Sequence, residues 1–347
     1  MDQRFFEKLC NGNFDEFQAR ARSPLSHLPH KRTFDASFSS FMKEEKASGT
    51  ADTNTAARFA HSLEPEGNRI FYDPYAKYFI SRGYKFVLGN PLLKYITTRY
   101  SERISPSCIM FVLIRTGYID DYLKECIDDG IEQLVILGAG YDSRAYRFEE
   151  LKNKVKVFEV DHPATQAVKI EKVKNIFGPL PDHVVYVGVD FTKEKLDEKL
   201  IESGYDGELR TLFIWEGVTY YLSAEDIDKT LSFVASNECE GSSIVFDYAY
   251  SSLLDKTCKD AIRILNYFEK VGEPYMFGIE GGKVESFLST RGFYQIRDVK
   301  AKDLEETYFK RRRRRWGFLK ISLFLDMSMQ RLNLKMRPNG GVLGGGQ

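Results

Sequence analysis

Two glycines one residue apart follow the apolar run QLVIL in QLVILGAGYDSRAYRF, and an acid, Asp161, ends the next apolar run, KVKVFEVD. A glycine at each of positions 138 and 140 lets the backbone approach a ligand beyond the end of a strand. A carboxylate at the end of the following strand can accept hydrogen bonds from both hydroxyls of a ribose. A third strand-like run, HVVYVGV, is followed by Asp190 and Phe191, an acid and a ring suited to the amino group and flat face of an adenine. A dinucleotide site needs a glycine or alanine three residues after the second glycine, and Ser143 stands there. No second mononucleotide-binding half is evident. A single nucleoside-bearing ligand without a pyrophosphate fits these residues better, with S-adenosylmethionine as the candidate.

The elements that must hold these groups read as strand, helix, strand from Gln133 onward. QLVIL, KVKVFEV, HVVYVGV, TLFIW and SSIVFDY are short β-branched runs without a polar alternate face, as expected of parallel strands covered on both sides. Such alternation predicts an α/β, doubly wound sheet with right-handed crossovers. Ser223-Ala224-Glu225-Asp226 ahead of Ile227, Leu231 and Val234 predicts an N-capped amphipathic helix. Upstream, Ser107 to Cys126 has helical spacing, with Ile109, Leu113, Tyr118, Tyr122 and Leu123 as core contacts. Thr55 to Ile80 is helical too, broken by the turn Glu64 to Asn68. Downstream, FYQIRDV and GFLKISLFLDMSM predict a sixth and a seventh strand. The last has Leu319, Ile321, Leu323, Leu325 and Met327 on one face, tied into the sheet edge, and at least one of the two is antiparallel. Residues 1–50 are expected to be an extension, 51–336 the catalytic domain, and the Gly-rich 337–347 a disordered tail.

Lys plus Arg and Asp plus Glu both number 50, so no global charge favours nucleic acid or an acidic membrane. The five cysteines form no CxxC pair and no metal-ligand spacing, which suits reduced thiols in a cytoplasmic protein and predicts no metal. No secretory signal or membrane span is expected. The run Lys310 to Arg315 beside Trp316 could touch lipid or RNA. We read it instead as a solvated loop entering the last strand.

LVILGAGYDSRAYRF, FEVDHP, VDF, IWEGVTYYLS and EPYMFGIE, with DPYAKYF and LIRTGYIDD upstream, together resemble the leucine carboxyl methyltransferase family over roughly Thr55 to Leu325. The resemblance implies a class I S-adenosylmethionine-dependent methyltransferase. Its fold would be a Rossmann-like, seven-stranded, mostly parallel sheet with an antiparallel last strand, N-terminal helices and a lid at about 250–290. By the same resemblance Arg115 holds the cofactor carboxylate, Gly138 and Gly140 bind the cofactor, and Asp161 binds its ribose. Asp190 and Phe191 hold the adenine, and Glu216 lies next to the methionine moiety. Tyr220 and Tyr221 follow Glu216 and could orient the acceptor, with Tyr275 and Phe277 on the lid. The chain departs from the leucine carboxyl enzymes at Ala57, where they have lysine, and at Thr192, where they have arginine. Both departures weaken a protein carboxylate as substrate and favour O-methylation of a small-molecule carboxylate or hydroxyl.

Structural roles stand beside these. Asp161 could cap the next helix, Arg115 could pair with Asp120 or Asp121, and Glu216 could serve a purely structural hydrogen bond. Tyr220 and Tyr221 could be core aromatics, and His162 the pocket edge. The competing functions are a protein carboxyl methyltransferase, a nicotinamide-dependent oxidoreductase and a non-catalytic RNA- or lipid-binding module.

Overall fold

A computed structural model describes residues 49–95, 108–190, 193–236, 239–256, 259–270, 272–309 and 327–334. Five runs become parallel strands: β1 Gln133–Leu137, β2 Lys156–Asp161, β3 Val184–Gly188, β4 Thr211–Trp215 and β5 Ser243–Ala249. They are joined by β6 Phe293–Lys300 and β7 Met327–Leu334 in the order β3-β2-β1-β4-β5-β7-β6, with β7 antiparallel to both its neighbours. The chain builds outward from β1 to β3, then returns to the other side of β1 for β4. The order therefore reverses between β1 and β4, where open α/β sheets form a ligand crevice beyond the strands' carboxyl ends.

Every residue of β1 and β4 is buried, because helices cover both sheet faces. Alternate residues go to opposite layers. Leu134 and Ile136 pack with Ile119 and Leu123 of the helix Cys108–Asp128 and with Val173 of the helix Pro163–Phe177. Val135 and Leu137 pack in the other layer with Leu200 of the helix Leu196–Glu202 and with Ile227 and Leu231 of the helix Ala224–Ala235. That last helix is capped as its sequence predicts: the Ser223 hydroxyl accepts the Asp226 N–H at 3.2 Å. The helix Cys108–Asp128 is buried without a break from Phe111 to Asp120, so its apolar stripe is wider than helical spacing alone implies.

One expectation needs adjustment. The last described strand, Met327–Leu334, overlaps the anticipated run at Met327–Met329 and continues beyond it, and it lies inside the sheet rather than at its edge. Residues 319–325, the basic run 310–315, the segment 1–48 and the tail 337–347 lie outside the described residues.

Leu134 is fully buried in β1, an interior strand of the sheet, so Leu134→Ala should lower the unfolding free energy by about 2–5 kcal/mol. Urea denaturation reads this directly. A change no larger than that of a surface substitution would contradict the position given to β1.

Candidate active site

The loops that follow β1 and β4 meet at the reversal point. Gly138 has φ +68° and Gly140 φ +42°, and a Cβ at Gly138 would overlap the Val218 side chain from the opposite loop. Only glycine satisfies both the left-handed backbone and this closeness. The Ala139 N–H donates to the Val160 carbonyl at 2.9 Å, and the Asp142 N–H donates to the Ala139 carbonyl at 2.7 Å, which turns the chain back. Arg58 fixes the far side of the turn: its Nη2 donates to the Tyr141 carbonyl at 2.5 Å and its Nε to Asp73 at 3.1 Å.

Glu216, immediately after β4, is the hub of a buried ionic network. Its Oε1 accepts from Arg115 Nε at 2.9 Å and its Oε2 from Arg144 Nη1 at 2.6 Å. Arg115 continues to Asp247 Oδ2 at 2.6 Å and to the Tyr220 hydroxyl at 3.3 Å. Its Nη2 makes no hydrogen bond to the described residues. Arg144 continues to Asp120 at 2.8 Å and Asp142 at 2.5 Å, and Arg147 shares the same Asp120 oxygen at 2.5 Å. Arg115 thus pairs with neither Asp120 nor Asp121 of its own helix. Burial alone would raise the carboxyl pKa values of Glu216 and Asp142, but the nearby guanidiniums hold both below the usual carboxylate range. Asp247 goes the other way: its complete burial outweighs Arg115 and the Gly217 N–H, and its pKa is raised.

Asp161 stands at the end of β2 and turns toward the glycine loop. Its Oδ2 accepts the Gly140 N–H, and its Oδ1 accepts the His162 N–H at 2.6 Å. The helix Pro163–Phe177 is capped by the His162 imidazole, which accepts from Ala164 N–H at 3.3 Å, so Asp161 is not needed for that. Each of its oxygens keeps a further lone pair. Burial raises its pKa. Asp190, just after β3, pairs with Lys193 at 2.7 Å. Phe191 and Thr192 lie outside the described residues.

Tyr220 and Tyr221 sit in the single turn Thr219–Tyr221 after Glu216. The Tyr220 ring stacks on Tyr275 with centroids 4.5 Å apart, and Tyr221 meets both rings edge-on. The Tyr220 carbonyl accepts the Met276 N–H at 2.7 Å, so the segment bearing Tyr275 and Phe277 is fastened to this turn. Burial raises the pKa of all three phenols, which therefore remain protonated donors.

Sequence reasoning missed Arg144, Asp142 and Asp247. The available signal was a charge where burial is complete: Asp247 interrupts the apolar run SIVFDYA, every residue of which is buried. A carboxylate there must find a cation, and Arg115 is the cation.

Removing one member of such a network leaves the others buried and uncompensated. Arg144→Met should lower the unfolding free energy by about 3–5 kcal/mol at neutral pH. Glu216 and Asp142 have depressed folded-state pKa values, so their contribution is fully present above the unfolded carboxylate range and is lost as pH falls through the lower folded values. The gap between wild type and variant should therefore close on acidification below about pH 4. A gap that does not vary with pH would contradict the ionic account. Separately, Gly138→Ala should destabilise the loop, and Val218→Ala should recover the steric part of the loss but not the part due to positive φ, as read by melting of the single and double variants.

Comparison with other proteins places this geometry. Residues 51–235 match the family model of leucine carboxyl methyltransferases, a span that includes Arg115, both loop glycines, Asp161, Asp190 and Glu216. A Bacillus subtilis protein provisionally named S-adenosyl-L-methionine-dependent methyltransferase YktD is 34% identical over 205 residues, which are 58% of this chain and 66% of the relative. A Streptomyces coelicolor protein with the same kind of provisional name is 26% identical over 216 residues, 62% of this chain and 75% of that one. The crystal structure of a DUF574 family protein from Streptomyces avermitilis has a TM-score of 0.50 at 12% identity, over 81% of this chain and 97% of its own, a likeness of fold alone. The family match takes in both loops of the crevice and the strands that carry them, so the chain belongs to the leucine carboxyl methyltransferase family, a family of S-adenosylmethionine-dependent methyltransferases.

Proposed function

We propose that this protein transfers the methyl group of S-adenosylmethionine to oxygen on a small-molecule carboxylate or hydroxyl, within a catalytic domain spanning 51–336. The observation that carries the reading is the reversal point itself, where the glycine loop, Asp161 and the Arg115–Glu216 pair converge from adjacent strand ends. The residues suit the methyl donor. Three guanidiniums, Arg115, Arg144 and Arg147, face four carboxylates, Asp120, Asp142, Glu216 and Asp247, and the surplus negative charge complements a sulfonium. In this reading the free edge of Arg115 meets the donor's carboxylate, Asp161 receives its ribose hydroxyls, and Asp190 with Phe191 borders its adenine. When bound, the donor supplies an activated methyl for in-line displacement.

The chain's own residues then align and enclose. Glu216, with an arginine on each oxygen and its pKa held low, fixes Arg115 rather than taking a proton. Tyr220 accepts from Arg115 and keeps its own proton, which it can donate to an acceptor oxygen. Tyr221 and Tyr275 complete an aromatic wall, with 250–290 as the lid. None of these groups is poised to act as a base. A carboxylate acceptor needs none, and a hydroxyl acceptor would have to ionise readily by itself. A protein carboxylate is the second reading, since the family's name describes that chemistry. The Ala57 departure argues against it: Arg58, its neighbour, is occupied by Asp73 and the glycine loop. Among the described residues no helix is long and apolar enough to cross a membrane, and no group of acids, histidines and cysteines could hold a metal ion.

Calorimetric titration should show a 1:1 complex with S-adenosylhomocysteine and none with NADH. Asp161→Ala should weaken it by about 1–3 kcal/mol. Arg115→Lys should weaken it too, because lysine cannot serve Glu216, Asp247 and a ligand with one fork. Wild-type binding should decline on acidification, beginning above the ordinary aspartate range because the Asp161 pKa is raised. With isotopically labelled donor and fractionated cell extract, label should enter small molecules. Label in protein would replace the acceptor reading, and NADH binding would overturn the donor reading.

A further inference from the structure

Beneath the glycine loop lies a second buried ionic pair. Lys169, from the helix Pro163–Phe177, is 1% exposed and sits 2.8 Å from Oε2 of Glu159, a β2 residue that is 0% exposed. Tyr146 donates to the same oxygen at 2.9 Å, while Glu159 Oε1 is buried without a hydrogen-bond partner among the described residues. A lysine and a glutamate side by side in the core stabilise a fold poorly, because desolvating both charges offsets most of their attraction. Their position suggests a different use. The Lys169 ammonium also reaches the Ala139 carbonyl at 3.5 Å, beside the Asp142 N–H that bonds it at 2.7 Å. The N–H of that same peptide unit, on Gly140, donates to Asp161.

We propose that Lys169 is a positioning residue for the methyl-donor site: it holds the oxygen end of the Ala139–Gly140 peptide while Asp161 holds the nitrogen end. The proposal rests on the methyltransferase reading. This peptide turns about the Ala139 ψ and Gly140 φ torsions, and glycine at position 140, with φ +42°, puts little local restraint on its side of the rotation. Rotation would take the Gly140 N–H away from Asp161 and turn the Asp161 carboxylate from its place at the crevice. The ammonium opposes this from below. Its field also acts on Asp161 directly, favouring the ionised form against burial. The other groups facing Asp161 are the Gly140 and His162 N–H groups and the His162 imidazole.

The test separates loop positioning from mere support of the core. Lys169→Met alone strands Glu159 and should lower the melting temperature. Glu159→Gln/Lys169→Met removes both charges and should return the melting temperature to near the wild-type value. Its dissociation constant for S-adenosylhomocysteine should nevertheless stay at least about tenfold above wild type, the scale of one lost charge-assisted contact. Its affinity should also begin to fall at a higher pH on acidification, since Asp161 has lost a cation that favours its charged form. Glu159→Gln alone, which leaves the ammonium under the loop, should bind within a few-fold of wild type. Recovery of wild-type affinity and pH profile in the double variant would overturn the proposal, as would a loss in Glu159→Gln as large as in Lys169→Met. Should the double variant not fold, Glu159→Gln/Lys169→Gln provides the same comparison. If wild type itself fails to bind S-adenosylhomocysteine, the methyltransferase reading falls and this inference with it.

Discussion

The carboxylate of Glu216, held between Arg115 and Arg144, is the interaction on which the rest of the site depends. One arginine comes from the helix before the sheet and the other from the turn after β1, while the glutamate ends β4. Through Arg115 the network reaches Asp247 in β5, and through Arg144 it reaches Asp120 and Asp142. Four segments of chain are thus fixed in mutual position by groups that cannot separate without leaving a buried charge unpaired. Burial makes this arrangement stringent, since an uncompensated ion in the interior is worth several kcal/mol.

Placing four carboxylates around three arginines has a second consequence. The network tolerates an added positive charge better than an added negative one. A sulfonium is such a charge, and its loss on methyl transfer removes that attraction. The tyrosines beside Glu216 fit the same logic, because burial keeps them protonated and available as hydrogen-bond donors.

Much of this was legible in the sequence because the signals were local. Apolar runs announced the strands, and the acids Asp161, Asp190 and Glu216 announced strand ends by breaking those runs. Glycines at 138 and 140 announced a close backbone approach. The pairings were not legible, since Arg115 and Asp247 lie far apart in sequence and neither residue names its partner. Nothing local in the sequence marks Arg144 or Lys169 as buried, although both are. The strand Met327–Leu334 was obscured for a related reason. MSMQRLNL has weaker alternation than the residues before it, and its strand character comes from pairing with β5 and β6 on either side.

The central claim is that one crevice, between the ends of β1 and β4, receives the methyl donor. Backbone hydrogen exchange with and without S-adenosylhomocysteine tests it most directly, because the reading requires both loops to lose solvent access together. Protection should rise within Gly138 to Asp142 and within Glu216 to Tyr221, with little change in β6. Protection confined to other segments, or none in either loop at saturating ligand, would contradict the account.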